Sequence, residues 1–523
     1  MDASFSEPGN RAGQRSRRKG DPVVGIRSIR FIGVAACTVV QACTAPRPIT
    51  GVDPSGDDGA IHILHFNDVY EITPVEGGQS GGLARVAALR AALRDSFPSL
   101  ITTLGGDFIS PSALGTARVA GERLNGKQMV SVLNSVGLDV AVLGNHEFDV
   151  NRDAFLARMN ESRFTLLAAN VSDSTGQPFP KVVPHVIRRV RAGGRDVRVA
   201  FFGVVIAANR PSWSRLGDPI EVAKREATLL RDSADVIVAL THLTVADDAR
   251  LVEQIPEVDL VLGGHEHENY TLRRGVRFTP VLKGDANVRS VQIVSIRPPA
   301  GGRRAEVSAR LQPIVGGMPE DAAVARVVAG WVDSAYAGFE RDGFQPREMV
   351  VTTPTALDGR EALVRSTSTN LTELIAAAMR RDTPEAELAV FNAGAIRIDD
   401  VIPAGAVTQY DVIRMLPFGG KTLDVRVQGD LLGRVLTAGE RNAGRGGFLQ
   451  KNGVEGSSAQ GWRVAGAPLD PTRTYRVAIS DYLLTGGEIG IEFLRRDAPT
   501  VQVLGERSDI RQAVIAEMRA RWR

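Results

Sequence analysis

Five short stretches of the chain carry residues that can bind a cation or move a proton: "HFNDVY" with Asp68, "GGDF" with Asp107, "GNHEFD" with Asn145 and His146, "THL" with His242, and "GGHEH" with His265 and His267. Carboxylate, imidazole and amide oxygen together suit hard-to-borderline divalent ions such as Mn, Zn or Fe, and one carboxylate can serve two ions. Each stretch has an ordinary explanation when taken alone. An Asp after Gly-Gly is commonly a turn residue, "GNH" is a common loop tripeptide, and an isolated His is more often a satisfied side chain than a ligand. Their recurrence is the signal, because four of the seven histidines fall in this set.

What must position these residues can be read around them. The stretches follow apolar runs such as "IHIL", "SLITTL", "LDVAVL", "DVIVAL" and "VDLVL", each closed by Gly, Asn, Thr or His. With "RFTLLAANV" and "VRVAFFGVV" they alternate with amphipathic helical stretches from about 60 to 300, as buried strands of a layered α/β domain do. In such sheets ligands gather beyond the carboxyl ends of the strands, so Asp68 is either a turn residue or a ligand by position. A helical pattern over 319–342, opening on Pro and acidic residues, links the halves. Beyond it a second domain mixes a helix, "TNLTELIAAAMRRD", with strands "LDVRVQG" and "TYRVAIS" and the glycine-dense turns "FNAGAIR", "LPFGGK" and "LTGGEIG". Such turns let backbone approach a ligand closely. The resulting division is 1–43 leader, 44–59 tether, 60–315 first domain, 316–345 linker and 346–523 second domain.

Composition narrows the partners. A net charge of +3 over 523 residues, without a basic stripe interleaved with aromatics, argues against a nucleic-acid polymer. "RRVRAGGRDVR" (188–198) reads instead as a hairpin with a glycine turn. Both cysteines, Cys37 and Cys43, lie in or just after the apolar stretch "FIGVAACTVV", so the rest of the chain has no disulfide and no Cys-ligated zinc. Arg27 and Arg30 ahead of that stretch, with small residues before Cys43, make an export signal. "VQAC" resembles a bacterial lipoprotein cleavage box with Cys43 lipidated; a plain secretory signal and an uncleaved anchor are the alternatives. The expected product is a monomer, periplasmic or held at the membrane.

"ILHFNDVY", "GGDF", "GNHEFD", "THL" and "GGHEH" resemble the five blocks of the calcineurin-like metallophosphoesterases, with spacing similar to the 5'-nucleotidase family. "STSTNLTELIAAAMR", "FNAGAIR" and "LPFGG" are similar to that family's C-terminal nucleotide-binding domain. The resemblance implies a four-layer α/β/β/α sandwich followed by a smaller α/β substrate domain that can rotate, the helix near 319–342 being its natural hinge. It implies a phosphomonoesterase that releases phosphate from 5'-nucleotides through a water activated by two divalent ions. Asp107 would bridge the ions, with Asp68 and His267 completing one site and Asn145, His242 and His265 the other. His146 would stabilise the phosphoryl group, oriented by Asp149. Arg365, Arg397 and Asn392 would hold the substrate's oxyanion side, and Phe418 would stack on the base.

Two departures stand out. Where the family carries Asp-x-His, this chain has Asp68-Val69-Tyr70, so Tyr70 is a phenolate ligand, a hydrogen-bond donor to the ligands, or packing. Where the family has Gly-Gly-Asp-Gly-aromatic, the chain reads "GGEIGIEF", which leaves only Phe493 as the second stacking ring. Both departures keep a sugar-phosphate or nucleotide-sugar ester open as substrate. A lipoprotein that binds nucleotides without hydrolysing them is the remaining alternative.

Overall fold

Alternation along the strands decides which core each side chain enters. In the computed structural model, which describes residues 58–522 apart from 209–210 and 301–303, the strand Arg195–Val205 turns Val197, Val199, Phe201 and Val205 toward the main core. Its alternate residues Ala200, Phe202 and Val204 enter a separate core with Ile220, Ala223, Leu230 and Leu251. The strand Val236–His242 divides in the same way, Val238 and Leu240 inward, Ile237 and Ala239 outward. Both faces of these strands are therefore buried, which explains their near-continuous apolar runs.

This strand belongs to a six-stranded sheet ordered Tyr270–Arg274, Thr279–Lys283, Leu260–Gly263, Val236–His242, Arg195–Val205, His185–Ala192, parallel in its centre. A seven-stranded sheet packs on it, ordered Glu306–Pro313, Ser290–Arg297, Ile61–Phe66, Ile101–Leu104, Val140–Val142, Thr165–Leu167, Val182–Val183. Helices Pro219–Leu230 and Val245–Gln254 cover the first sheet, and Leu83–Ser96, Lys127–Val136 and Arg152–Glu161 cover the second. The result is the α/β/β/α sandwich expected from the sequence. The arginine-rich 188–198 segment is a hairpin whose turn glycines, Gly193 and Gly194, have φ of 60° and 74°. Two consecutive positive values make the turn type whose twist matches flanking strands.

The helix Ala322–Arg341, capped by the Asp321 carboxylate, leads into the second domain. There a five-stranded sheet runs Leu449–Asn452, Leu388–Asn392, Thr474–Ser480, Lys421–Gln428, Val501–Asp509. Ala389 and Phe391 face the core shared with helices Asn370–Asp382 and Ile510–Arg521, while Leu388 and Val390 face that of helix Gly429–Arg441. The first of these cores is continuous with that of the N-terminal domain. Among the described residues no helix is long and apolar enough to cross a membrane. The leader, including Cys37 and Cys43, lies outside the described residues.

Candidate active site

The five stretches converge where the parallel strands of the two sheets end. Asp68, Asp107 and His242 each present a ligand atom within 4.8 Å of the others, and all three side chains are buried. Nε2 of His242 lies 3.2 Å from Oδ2 of Asp107 and 3.1 Å from Oδ1 of Asn145, while its Nδ1 donates to the Gly105 carbonyl at 2.7 Å. The ring of His265 meets that of His242 edge to face, with centroids 5.3 Å apart. Nε2 of His267 lies 3.9 Å from Oδ1 of Asp68. The six residues expected to hold ions are thus brought together.

The glycines beside them are required by close approach. A Cβ on Gly144 would fall 2.1 Å from Oδ1 of Asp107, and one on Gly264 would fall 2.1 Å from the Gly105 carbonyl oxygen. Asp68, Asp107 and His265 themselves have φ of 52°, 54° and 87°, a left-handed region that disfavours residues with a side chain. Such strain persists only where surrounding structure over-determines it, commonly at functional sites. Part of that surrounding is Glu147, a buried carboxylate accepting from the backbone N–H groups of Asp107 at 3.0 Å, Phe108 at 2.7 Å and Ile109 at 3.0 Å, and from Gly144. Sequence reasoning passed over Glu147, although it sits inside "GNHEFD".

Electrostatics favour a cation here. Burial opposes charge on His242, yet Asp107 pushes it up to about 9; burial and the charge of His242 push His265 down to about 3. Burial raises the carboxyl of Asp68, opposed by His242 and His267. Two buried carboxylates without a surface ion pair need positive charge between them, whether protons on imidazole or a divalent ion. The donor set of two carboxylates, three imidazoles and an amide oxygen fits Mn, Zn or Fe.

Tyr70 stands among these ligands. Its buried hydroxyl lies 3.2 Å from Oδ2 of Asp107, 3.4 Å from Oδ1 of Asp68 and 3.1 Å from Nε2 of His267. Burial and the neighbouring carboxylates push the phenol well above its ordinary value. The third sequence option, packing alone, is thereby excluded, and the protonated phenol acts as a donor to Asp107. His146, at the cavity edge, donates from its backbone N–H to Oδ1 of Asp107 at 2.8 Å, and its Nδ1 lies 2.5 Å from Oδ2 of Asp149.

These residues form one wall of a cavity of about 640 Å3 whose other walls come from the second domain. Arg365, Asn392, Arg397 and Phe418 all line it, as expected. Nε of Arg365, Nε of Arg397 and Oδ1 of Asn392 are buried without a protein hydrogen-bond partner, while Nη1 of Arg365 pairs with Glu361 at 2.6 Å. The Arg397 guanidinium lies 5.6 Å from the centre of the Phe418 ring.

Phe493 is a correction. It packs on the core around helix Gly429–Arg441, under the guanidinium of Arg434 at 4.6 Å, and lines a different surface groove. The second exposed ring of the cavity is Tyr482, in "SDYLLTGG", and Glu488 joins the lining beside it. Tyr482 stands two residues past the strand that ends at Ser480 and ahead of the Gly-Gly turn, a place that in the sequence does not distinguish it from Phe493.

A family model for calcineurin-like phosphoesterases matches residues 61–269, and one for the 5'-nucleotidase C-terminal domain matches 350–495. The protein UshA of Yersinia enterocolitica is 24% identical over 498 residues, covering 82% of this chain and 86% of its own. A 5'-nucleotidase of Vibrio cholerae is 23% identical over 497 residues, covering 82% and 85%. Among solved structures, the 5'-nucleotidase precursor of Thermus thermophilus shares the fold with a TM-score of 0.72 at 22% identity, covering 88% of this chain and 96% of that one.

Proposed function

The chain belongs to the 5'-nucleotidase family of phosphoric monoester hydrolases, a calcineurin-like phosphoesterase domain followed by that family's C-terminal domain, and we propose that it releases phosphate from nucleoside 5'-monophosphates. The observation that carries this reading is the shared cavity in which Asp107, Asn145, His146, His265 and His267 face Arg365, Arg397, Phe418 and Tyr482. One wall suits a phosphoryl group and the other an anion joined to a planar base.

Asp68, Asp107 and His267 would hold one divalent ion, with Asp107 shared to a second held by Asn145, His242 and His265. Ions so held would lower the pKa of water and offset negative charge on the phosphoryl oxygens. The protein's own contribution is positional. Asp149 accepts from Nδ1 of His146 and orients the ring so that Nε2 can donate to a phosphoryl oxygen. Arg397 offers a guanidinium fork that can match an oxyanion in two-point fashion, and Arg365, paired with Glu361 at 2.6 Å, adds positive charge beside it. Phe418 and Tyr482, each about half exposed, offer faces on which a base can stack.

With Tyr482 in the cavity, the missing second ring no longer argues for a sugar phosphate. The presence of His146 and all six donors in one place argues against a silent binding protein. Export, with Cys43 as a lipidation point, belongs to this proposal as the setting in which nucleotides would be dephosphorylated. Phosphate release should be measured for residues 51–523 on nucleoside monophosphates and sugar phosphates, with Mn, Zn or Mg and with chelator. Chelator-sensitive turnover of nucleotides is expected. Turnover restricted to sugar phosphates, or none with any metal, would overturn the assignment.

A further inference from the structure

Asp399 lies in the second domain, two residues beyond Arg397, yet its carboxylate reaches an expected ion-holding residue of the first. Nδ1 of His267 donates to Oδ2 of Asp399, while Oδ1 of Asp399 accepts from the backbone N–H of Glu361 at 2.7 Å. One oxygen is therefore anchored within its own domain and the other is aimed across the boundary. Asp399 is largely buried and held at φ of 40°, left-handed for a residue that is not glycine. With Nδ1 committed, Nε2 is the ring atom left to face Tyr70 at 3.1 Å and Asp68 at 3.9 Å. A carboxylate on the far nitrogen fixes tautomer and ring orientation and raises the basicity of a ligating imidazole.

The neighbouring residue grips the other side of the same site. Asp400 pairs with Arg414 at 3.4 Å, and Arg414 lies 3.6 Å from the carboxylate of Glu71, one residue beyond Tyr70. Tyr410 donates to Glu71 at 3.2 Å, and the backbone N–H of Glu76 donates to Asp400 at 3.3 Å. The segment holding Asp68 and the loop holding His267 are thus both clasped by one stretch of the second domain.

We propose that Asp399 is a positioning residue that completes the ion site of Asp68 and His267 only when the second domain is docked as in this structure. The inference rests on the two-ion reading above. It couples ion affinity to domain docking, and the coupling is reciprocal, so that an ion bound there favours the docked arrangement. The other site, built from Asn145, His242 and His265, has no such contact with Asp399.

The test is the metal content and affinity of the full chain and of Asp399→Ala and Asp399→Asn, measured by titration calorimetry with Mn and by elemental analysis after gel filtration. The wild type should hold two ions. Asp399→Ala should keep one and bind the other about 10- to 100-fold more weakly. Asp399→Asn, whose amide oxygen still accepts from Nδ1, should lose less, and it carries the test if the alanine variant does not fold. Two ions held with unchanged affinity by a folded variant would overturn the proposal while leaving the two-ion reading intact. A wild type that binds no divalent ion would overturn both.

Discussion

The Tyr70 hydroxyl donates to Oδ2 of Asp107 across 3.2 Å, and the same oxygen lies 3.2 Å from Nε2 of His242. A phenol and an imidazole therefore converge on the carboxylate that both ions would share. Removing the hydroxyl in Tyr70→Phe leaves that oxygen with one fewer donor and the ring packing intact. We expect kcat to fall about 10-fold with little change in KM, the scale of losing an outer contact to a ligand. Steady-state kinetics at saturating Mn checks this, and an unchanged kcat would show that the hydroxyl's contact with Asp107 does not contribute to turnover.

His146 is expected to act on the reacting group itself. His146→Ala should lower kcat about 100- to 10,000-fold with metal content preserved. Asp149→Ala, which removes the acceptor at Nδ1 but leaves the ring in place, should cost less than His146→Ala. The double variant completes a cycle with these two, and its coupling should be large because the pair acts as a unit.

The two cavity rings make a prediction about binding that Phe493 does not share. Phe418→Ala and Tyr482→Ala should each raise KM for nucleoside monophosphates about 10- to 100-fold, from about 1–3 kcal/mol of base stacking per ring. Neither should alter hydrolysis of ribose 5-phosphate, which has no base. Phe493→Ala should leave both substrates unaffected and lower thermal stability, since its partly buried ring packs against the domain core beneath Arg434.

Across the second domain's sheet, Asp424 accepts from Arg476 at 2.9 and 2.7 Å and from Arg507 at 2.7 Å. The Arg476 hydrogen bonds hold its carboxyl below the ordinary 3.8, outweighing burial. A depressed carboxylate contributes stability above its unfolded pKa and loses it as pH falls through the folded value. Asp424→Asn should therefore lower stability by about 1–2 kcal/mol at pH 7, the scale of a charged hydrogen bond. The difference from wild type should shrink as pH falls below 3.8. Urea midpoints at pH 7 and pH 3 test the sign, and a gap that widens in acid would refute it.

At the junction, Arg414 faces Glu71, Asp400 and Asp411, and all its ion-pair distances fall between 3.4 and 3.7 Å. Arg414→Met leaves the buried Glu71 and Asp400 carboxylates without their cation, which should cost about 3–5 kcal/mol. A melting curve that splits into two transitions would show the domains uncoupling, whereas an unchanged single transition would mean the network is dispensable.

Motif order named the candidate ion-holding residues from Asp68 to His267 and His146, and the family resemblance added Arg365, Asn392, Arg397 and Phe418. Most of the candidates in the first domain follow a local rule: a buried strand ends, a glycine permits close approach, and the next polar residue faces the space beyond the sheet. The strand faces were likewise legible, because a period of two leaves an unbroken apolar run wherever both faces are covered. Tyr482 and Phe493 were not separable in this way, since a one-dimensional pattern shows an aromatic near a turn but not which side of the sheet it leaves by. Glu147 was hidden for a different reason: its four partners are backbone N–H groups, which have no residue type to read. Tyr70 could be named from the sequence but not assigned a role, because that depends on Asp107 and His267 arriving from distant strands. Asp399 and His267 are 132 residues apart, in different domains. Only docking of those domains brings the carboxylate to the imidazole, so local preference determined which residues could bind an ion, and tertiary packing decided which of their atoms face it.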